Sequence, residues 1–379
     1  MTEGSPAPRW GVYVHVPFCA HRCTYCSFVA LAGREGEEAY FDALGAEVAG
    51  RAAEAVGPLE TVYFGGGTPS YAEPLRLRRL LERIAGTWGL ARDAEVTVEA
   101  NPDDLDDARL EALAALGATR LSVGAQSLSD AELAPLERRH DASAALDALR
   151  RSRACFADVS ADLMIGVPSQ TRASLRTSVE GLVDAGVSHL SVYLLELEKA
   201  PRLLSLRAER PDLFADDEEL VERWELVDEL LAAAGLLRYE VSNWARPGRE
   251  SRHNLKYWRE DPTMGLGVSA ASFDGATRRA NSGSTVEYVR RVAESGRAVV
   301  SEVTLDAGEL LRERALLGLR LVEGIPNGLL EEAAASLGVS DRARLADAEA
   351  AGLLERSEGR ARLTRRGVLL SSEVFSALL

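Results

Sequence analysis

Six short runs rich in β-branched residues, each leading into a polar or glycine-rich tip, alternate with helical stretches over residues 1–200. They are GVYVHV (11–16), TVYFGGG (61–67), EVTVEANP (95–102), RLSVGAQS (120–127), DVSADLMIGVP (158–168) and HLSVYLLELE (189–198). Between them, segments such as EEAYFDALGAEVAGRAAEAV and DDARLEALAAL carry apolar residues three and four apart, the spacing of an amphipathic helix. Strand–helix alternation requires parallel strands with helices packed outside, because a parallel return needs a crossover. Six units predict an α/β fold, a partial (β/α)6 barrel rather than a closed eight-fold ring, with its site where strands end and loops begin. Every unusual motif of the chain falls at such a strand end.

Beyond about residue 200 the rhythm changes. DDEELVERWELVDELLAAAG (216–235) reads as a long amphipathic helix, followed by the aromatic HNLKYWREDP and the glycine-rich GLGVSAASF. From residue 307, three helical patterns precede GLLERSEGRARLTRRG, a β-hairpin pattern before a last helix. The expected organisation is a barrel core over 1–200, a barrel extension over 201–306, and a C-terminal α+β, winged-helix-like domain over 307–379.

The net charge of −15 opposes general nucleic-acid binding, which favours a basic face that displaces phosphate counterions. It opposes adhesion to anionic lipid equally. No window reaches the roughly 18 apolar residues of a membrane span, and MTEGSPAPRW lacks the cationic and apolar regions of a signal peptide. A cytoplasmic protein is expected, with reduced thiols.

Three of the chain's four cysteines, Cys19, Cys23 and Cys26, lie within HVPFCAHRCTYCSF at the end of the first strand. Disulfides would leave an odd thiol in the wrong compartment. A structural zinc site needs four ligands, which His15 or His21 could complete. A [4Fe–4S] cluster normally takes four cysteines, and three would leave one iron open. Cys155 is isolated and reads as a small buried hydrophobe.

Cys-x3-Cys-x2-Cys after the first strand of such a barrel resembles the radical S-adenosylmethionine (SAM) superfamily. That resemblance implies a [4Fe–4S] cluster on Cys19, Cys23 and Cys26, with SAM chelating the open iron and cleaved reductively to methionine and a 5′-deoxyadenosyl radical. Tyr25 offers a flat face for adenine, and GGGTP (65–69) is similar to the family motif that holds the SAM amino group. Further motifs, FGGGTPS, SVGAQS, ERRHD, DLMIGVPSQT, LGLRLVEGI and LTRRG, resemble the oxygen-independent coproporphyrinogen III oxidase group along nearly the whole chain. By matching motif, Tyr13, Gly66, Gly67, Thr68, Glu99, Gln126, Arg138 and Asp162 are expected to contact SAM.

Within that group the oxidases continue Cys-x-Cys after the third ligand, whereas this chain has Cys26-Ser27-Phe28. It resembles instead the HemW family of haem chaperones, also through HNLKYW (253–258), similar to the haem-binding pattern His-Asn-x-x-Tyr-Trp. This implies haem as a ligand with His253 as the candidate iron ligand and Tyr257 and Trp258 packed against the macrocycle. Many relatives carry a histidine where this chain has Ala271. Recipient haemoproteins are the implied partners; the resemblance leaves room for transient contact with membrane respiratory proteins and for a homodimer. The rival function is oxidative decarboxylation of a coproporphyrinogen propionate, for which no basic cluster near the motifs supplies carboxylate partners.

Overall fold

The computed structural model describes residues 9–55 and 57–379. The stretch read as lacking a signal peptide lies outside the described residues except for Arg9 and Trp10, as does Val56 at the end of the first helical pattern.

All six runs are strands: β1 (Gly11–Val16), β2 (Leu59–Gly66), β3 (Leu90–Ala100), β4 (Arg120–Gln126), β5 (Asp158–Ile165) and β6 (His189–Leu194). They lie side by side in chain order, each parallel to the next. Successive strand residues point to opposite faces, and here the two faces differ in chemistry. Val12, Val14, Val62, Phe64, Val96, Val98, Leu121, Val123, Val159, Ala161, Leu190 and Val192 are buried in one apolar core with the outer helices. The intervening Tyr13, Tyr63, Thr97, Glu99, Ser122, Ser160, Asp162, Ser191 and Tyr193, drawn from all six strands, line a single interior cavity. The sheet is therefore curled round a polar lumen.

The outer helices follow from their patterns. Pro74–Trp88 has proline in its first turn and Gly89 at its C-cap with φ +77°, and buries Leu77, Leu80, Leu81, Ile84 and Trp88 on one stripe. Each such side chain stabilises the fold by about 1.5–3 kcal/mol through area removed from water. Ala142–Cys155 buries Ala145, Ala148, Leu149 and Ser152. Its last residue, Cys155, is exposed rather than buried, because the apolar stripe passes to Phe156 beyond the helix end.

Antiparallel β7 (Leu237–Glu240) and β8 (Asn243–Ala245) extend the sheet past β6. At the other edge β9 (Thr263–Leu266) runs parallel to β1, followed by antiparallel β10 (Ala271–Phe273), β11 (Thr277–Asn281) and β12 (Val299–Thr304). The order is β12-β11-β10-β9-β1-β2-β3-β4-β5-β6-β8-β7, an open sheet and not a closed ring. The parallel β9 is an addition to the six strands expected. Its four residues TMGL, preceded by Pro262 and followed by Gly267, are too few for a period to show.

The C-terminal part has its own apolar core, including Leu319, Leu330, Leu345, Ala361 and Val374. Helices Ala307–Gly318, Asn327–Ala335 and Val339–Ala350 precede the hairpin of β14 (Leu354–Ser357) and β15 (Arg360–Leu363), with β13 (Ile325–Pro326) as a third strand. This is the winged-helix-like arrangement expected. It is tied to the barrel by Arg320, whose guanidinium lies 4.3 Å from the Trp258 ring centroid, and by Arg314, 3.0 Å from the Glu260 carboxylate. Among the described residues, no helix is long and apolar enough to cross a membrane.

Candidate functional site

The loop that leaves β1 returns on itself: Phe18–Cys19 pairs in parallel with Leu31–Ala32, so the intervening cysteine segment projects over the strand ends. Cys19 is buried, Cys23 and Cys26 half-buried, and none is in a disulfide. All three line one cavity of about 460 Å³, together with Tyr25, Gly66, Gly67, Thr68, Glu99, Gln126, Arg138 and Asp162. Among the described residues no three His, Cys, Asp or Glu side chains close on one metal ion, as a mononuclear zinc site requires. His15 faces elsewhere, with Nε2 2.9 Å from the Val29 carbonyl and Nδ1 3.1 Å from the Tyr13 hydroxyl.

The tip of β2 is stitched to this loop. The Gly67 amide donates to the Val16 carbonyl at 2.8 Å and the Thr68 amide to the Phe18 carbonyl at 2.9 Å. Such approach needs glycine: Gly66 has φ +110°, and a Cβ there would lie 2.6 Å from the His15 ring. One placed on Gly67 would lie 2.7 Å from the Pro17 carbonyl carbon. The stitching sets the Thr68 hydroxyl 3.3 Å from Cys19 Sγ, as donor.

A second sulfur is reached from the opposite wall. Arg138 Nη1 donates to Cys23 Sγ and to the Tyr25 hydroxyl, both at 3.4 Å, while Nη2 donates to Asn101 Oδ1 at 2.7 Å and to the Gly124 carbonyl at 2.5 Å. Asn101 Nδ2 in turn donates to Thr68 Oγ1 at 3.0 Å. One continuous hydrogen-bonded chain thus joins two of the three thiols through Thr68, Asn101 and Arg138. Burial raises the Cys19 thiol to about 11, against the lowering effect of the Thr68 bond, so the unliganded thiol holds its proton until a metal replaces it.

Two carboxyls on the strands face the cavity, besides Glu196 at its exposed rim. Glu99, one residue before the end of β3, accepts from the Tyr63 hydroxyl at 2.7 Å and the Gly66 amide at 3.1 Å. Burial pushes it up to about 7, with the neighbouring Asp162 charge adding to the rise. Asp162 accepts from Ser122 at 3.3 Å, and burial raises it to about 6. Gln126 ends β4 at φ +66°, a strained value for a side-chain-bearing residue, where the register with β5 shifts.

Tyr13 and His253 stand apart from this group. They line a deeper cavity of about 330 Å³, toward the N-terminal ends of the strands, that shares Phe28, Gly66, Glu99, Ser122, Asp162 and Tyr193 with the first. His253, on the helix Arg252–Trp258, is 1% exposed. Its Nδ1 shares a 2.7 Å hydrogen bond with the Thr61 hydroxyl and its Nε2 one of 2.9 Å with the Tyr257 hydroxyl. Tyr63 stacks on its ring at 5.1 Å. Burial, then the Lys256 charge, lowers His253 to about 3, so the ring is neutral. Trp258 lies under Arg320 at the junction with the C-terminal part.

Asn101, Tyr63, Ser122 and Ser191 complete the site and were not among the residues expected. Tyr63, Ser122 and Ser191 occupy lumen-facing positions of strands whose other face is apolar, so the two-residue alternation was the signal. Asn101 carries no such signal, because it sits just past the strand end.

Residues 13–182 match the Radical SAM superfamily model and residues 305–370 the HemN C-terminal domain model. The chain is 40% identical to the heme chaperone HemW of Mycobacterium tuberculosis, over 99% of this chain and 96% of that protein. It is 34% identical to HemW of Bacillus subtilis, over 97% and 98%. It is 38% identical to radical S-adenosyl methionine domain-containing protein 1, mitochondrial, of Bos taurus, over 85% and 76%. Coproporphyrinogen III oxidase (HemN) of Escherichia coli superposes with a TM-score of 0.84 at 23% identity, covering 99% of this chain and 91% of that one, a likeness of fold alone.

Proposed function

This chain belongs to the HemW family of the radical SAM superfamily, and on that premise we propose that it is a haem chaperone. It holds a [4Fe–4S] cluster on Cys19, Cys23 and Cys26, SAM in the same chamber, and haem as cargo for recipient haemoproteins. The observation that carries this reading is the convergence of three thiols on one chamber with the fourth cysteine exposed elsewhere. When bound, the cluster supplies an electron and an iron without a protein ligand, open to the amino and carboxylate groups of SAM.

The chain's own residues have distinct tasks. Thr68 donates to the Cys19 sulfur and Arg138 to the Cys23 sulfur, which holds the loop against the strand tips. Gly66 and Gly67 keep the backbone close enough to meet the cofactor's amino group, and Glu99 supplies the acceptor that a cation would ionise. Gln126, Asp162 and Tyr25 form the remaining wall. Tyr13 acts from the deeper chamber, through the lumen it shares with Tyr63. His253, the ligand the motif suggests, could meet haem iron only with its Tyr257 or Thr61 bond opened, since each ring nitrogen already has a partner.

Haem transfer tests the function. The anaerobically reconstituted protein is expected to bind ferric haem with a Soret shift and to pass it to an apo-haemoprotein faster than free haem loads that acceptor. Conversion of coproporphyrinogen with no haem binding would overturn the chaperone reading in favour of the oxidase.

A further inference from the structure

The five histidines differ in what they can offer a metal. His15, His189 and His253 are buried, with both ring nitrogens hydrogen-bonded. His140 is buried at 5% exposure, its Nε2 3.1 Å from the Ala125 carbonyl. His21 alone has an exposed side chain, at 42%. It stands at the mouth of the cysteine-lined chamber, and Nε2–H donates to the Glu137 carboxylate at 3.2 Å. Nδ1 has no hydrogen-bond partner among the described residues. A carboxylate that takes one N–H fixes the tautomer and turns the other nitrogen's lone pair outward, the arrangement that typically backs a metal-binding imidazole.

The same mouth has the chemistry of an amphipathic macrocycle. Phe28 is 62% exposed and Leu194 54% exposed, both lining the chamber, and such large apolar groups on a rim otherwise waste contact with water. Arg22 and Lys199 line the same opening. Lys199 is paired with Glu196, while Arg22 bonds, among the described residues, to the Cys26 carbonyl alone, at 3.3 Å, which leaves its charge for an incoming carboxylate. Imidazole, apolar faces and a guanidinium together match a porphyrin iron, a porphyrin plane and propionates.

We infer that haem docks at this mouth, with His21 as its axial ligand, Phe28 and Leu194 against the ring and Arg22 toward a propionate. The inference rests on the haem-chaperone reading and names the site on this chain that serves it. It places cargo beside the cluster chamber, where the chamber's occupancy is felt directly by the bound haem.

The test titrates the anaerobically reconstituted protein with ferric haem and follows the Soret band and the paramagnetic spectrum of the iron. His21→Ala is expected to shift the Soret maximum and weaken apparent affinity by about tenfold or more, with free imidazole restoring the band. Glu137→Gln, outside the cysteine loop, is expected to weaken haem by about tenfold while leaving cluster absorbance unchanged. His253→Ala is expected to keep the wild-type Soret position. Haem bound with an unaltered spectrum in His21→Ala, or ligation lost only in His253→Ala, would overturn this site and leave the chaperone reading standing. A wild-type protein that binds no haem would remove both. If His21→Ala disturbs the cluster, Glu137→Gln decides: unchanged haem affinity there counts against the site.

Discussion

Replacing Cys23 by serine is expected to reduce iron in the anaerobically reconstituted protein from about four atoms per chain to less than about one. The broad visible absorbance should vanish with it. The magnitude follows from the ligand count. Three thiols line the chamber, Cys155 is at an exposed helix end and does not line it, and among the described residues no group of three His, Cys, Asp or Glu side chains closes on a single metal ion to hold iron in their place. A cube held at three corners that loses one would keep two protein ligands and two open irons, too few to hold it against water and free thiols. Cys19→Ser is expected to act as strongly, and it also removes the sulfur that accepts from Thr68. Cys155→Ser is the control and should leave iron unchanged. Iron analysis and visible spectra of the purified variants check all three.

A second large effect is expected at Glu99. Its carboxyl has a folded value of about 7 against an ordinary 4.5, chiefly through burial. The folded chain therefore binds a proton over this interval that the unfolded chain has released. Stability contributed by that proton is present below 4.5, falls through the interval, and is lost above about 7, where a buried carboxylate has to be tolerated. A cation placed beside Glu99 reverses the preference by stabilising the ionised form. Binding of SAM is thus expected to release a proton near neutral pH, and its affinity to climb from about pH 6 to about pH 8 and then level off. In Glu99→Gln that climb should disappear, and affinity at pH 8 should fall by about ten- to a hundredfold, the worth of a hydrogen bond to a charged group. The same variant should stabilise the cofactor-free protein above about pH 7, since it removes the buried charge. Asp162, raised to about 6, would still give a weaker dependence at lower pH. Calorimetry in two buffers of different ionisation heat reads the proton release directly. A pH-independent affinity in the wild type would sink this account of Glu99.

The sequence pattern made some of this site plain and hid the rest for physical reasons. The six parallel strands and their order were legible because each carries a two-residue alternation bounded by a glycine or polar tip. The cysteines were legible because covalent spacing within one loop survives any packing. Glu99 and Asp162 could be placed at strand ends or within them from sequence alone, and the fold brings them to one chamber. Tyr13 also lies on a lumen-facing position, but two residues of strand rise carry it to the deeper chamber. Asn101 reaches Thr68 across 33 residues of chain and Arg138 across 37, a relation that tertiary packing creates and no local period announces. HNLKYW was legible as a motif, but not the packing of its helix, in which His253 is buried and Lys256 bonds to Glu60 at 2.6 Å and to the Arg9 carbonyl at 2.7 Å. His21 was weighed only as a zinc ligand, and its pairing with Glu137 spans 116 residues.

The account depends most on an iron left without a protein ligand. Paramagnetic resonance of the reduced, anaerobically reconstituted protein, recorded before and after addition of SAM, reads that position directly. A [4Fe–4S]⁺ signal whose g-values move on addition is the predicted result. A cluster signal indifferent to SAM, or iron-free protein carrying zinc, would contradict it.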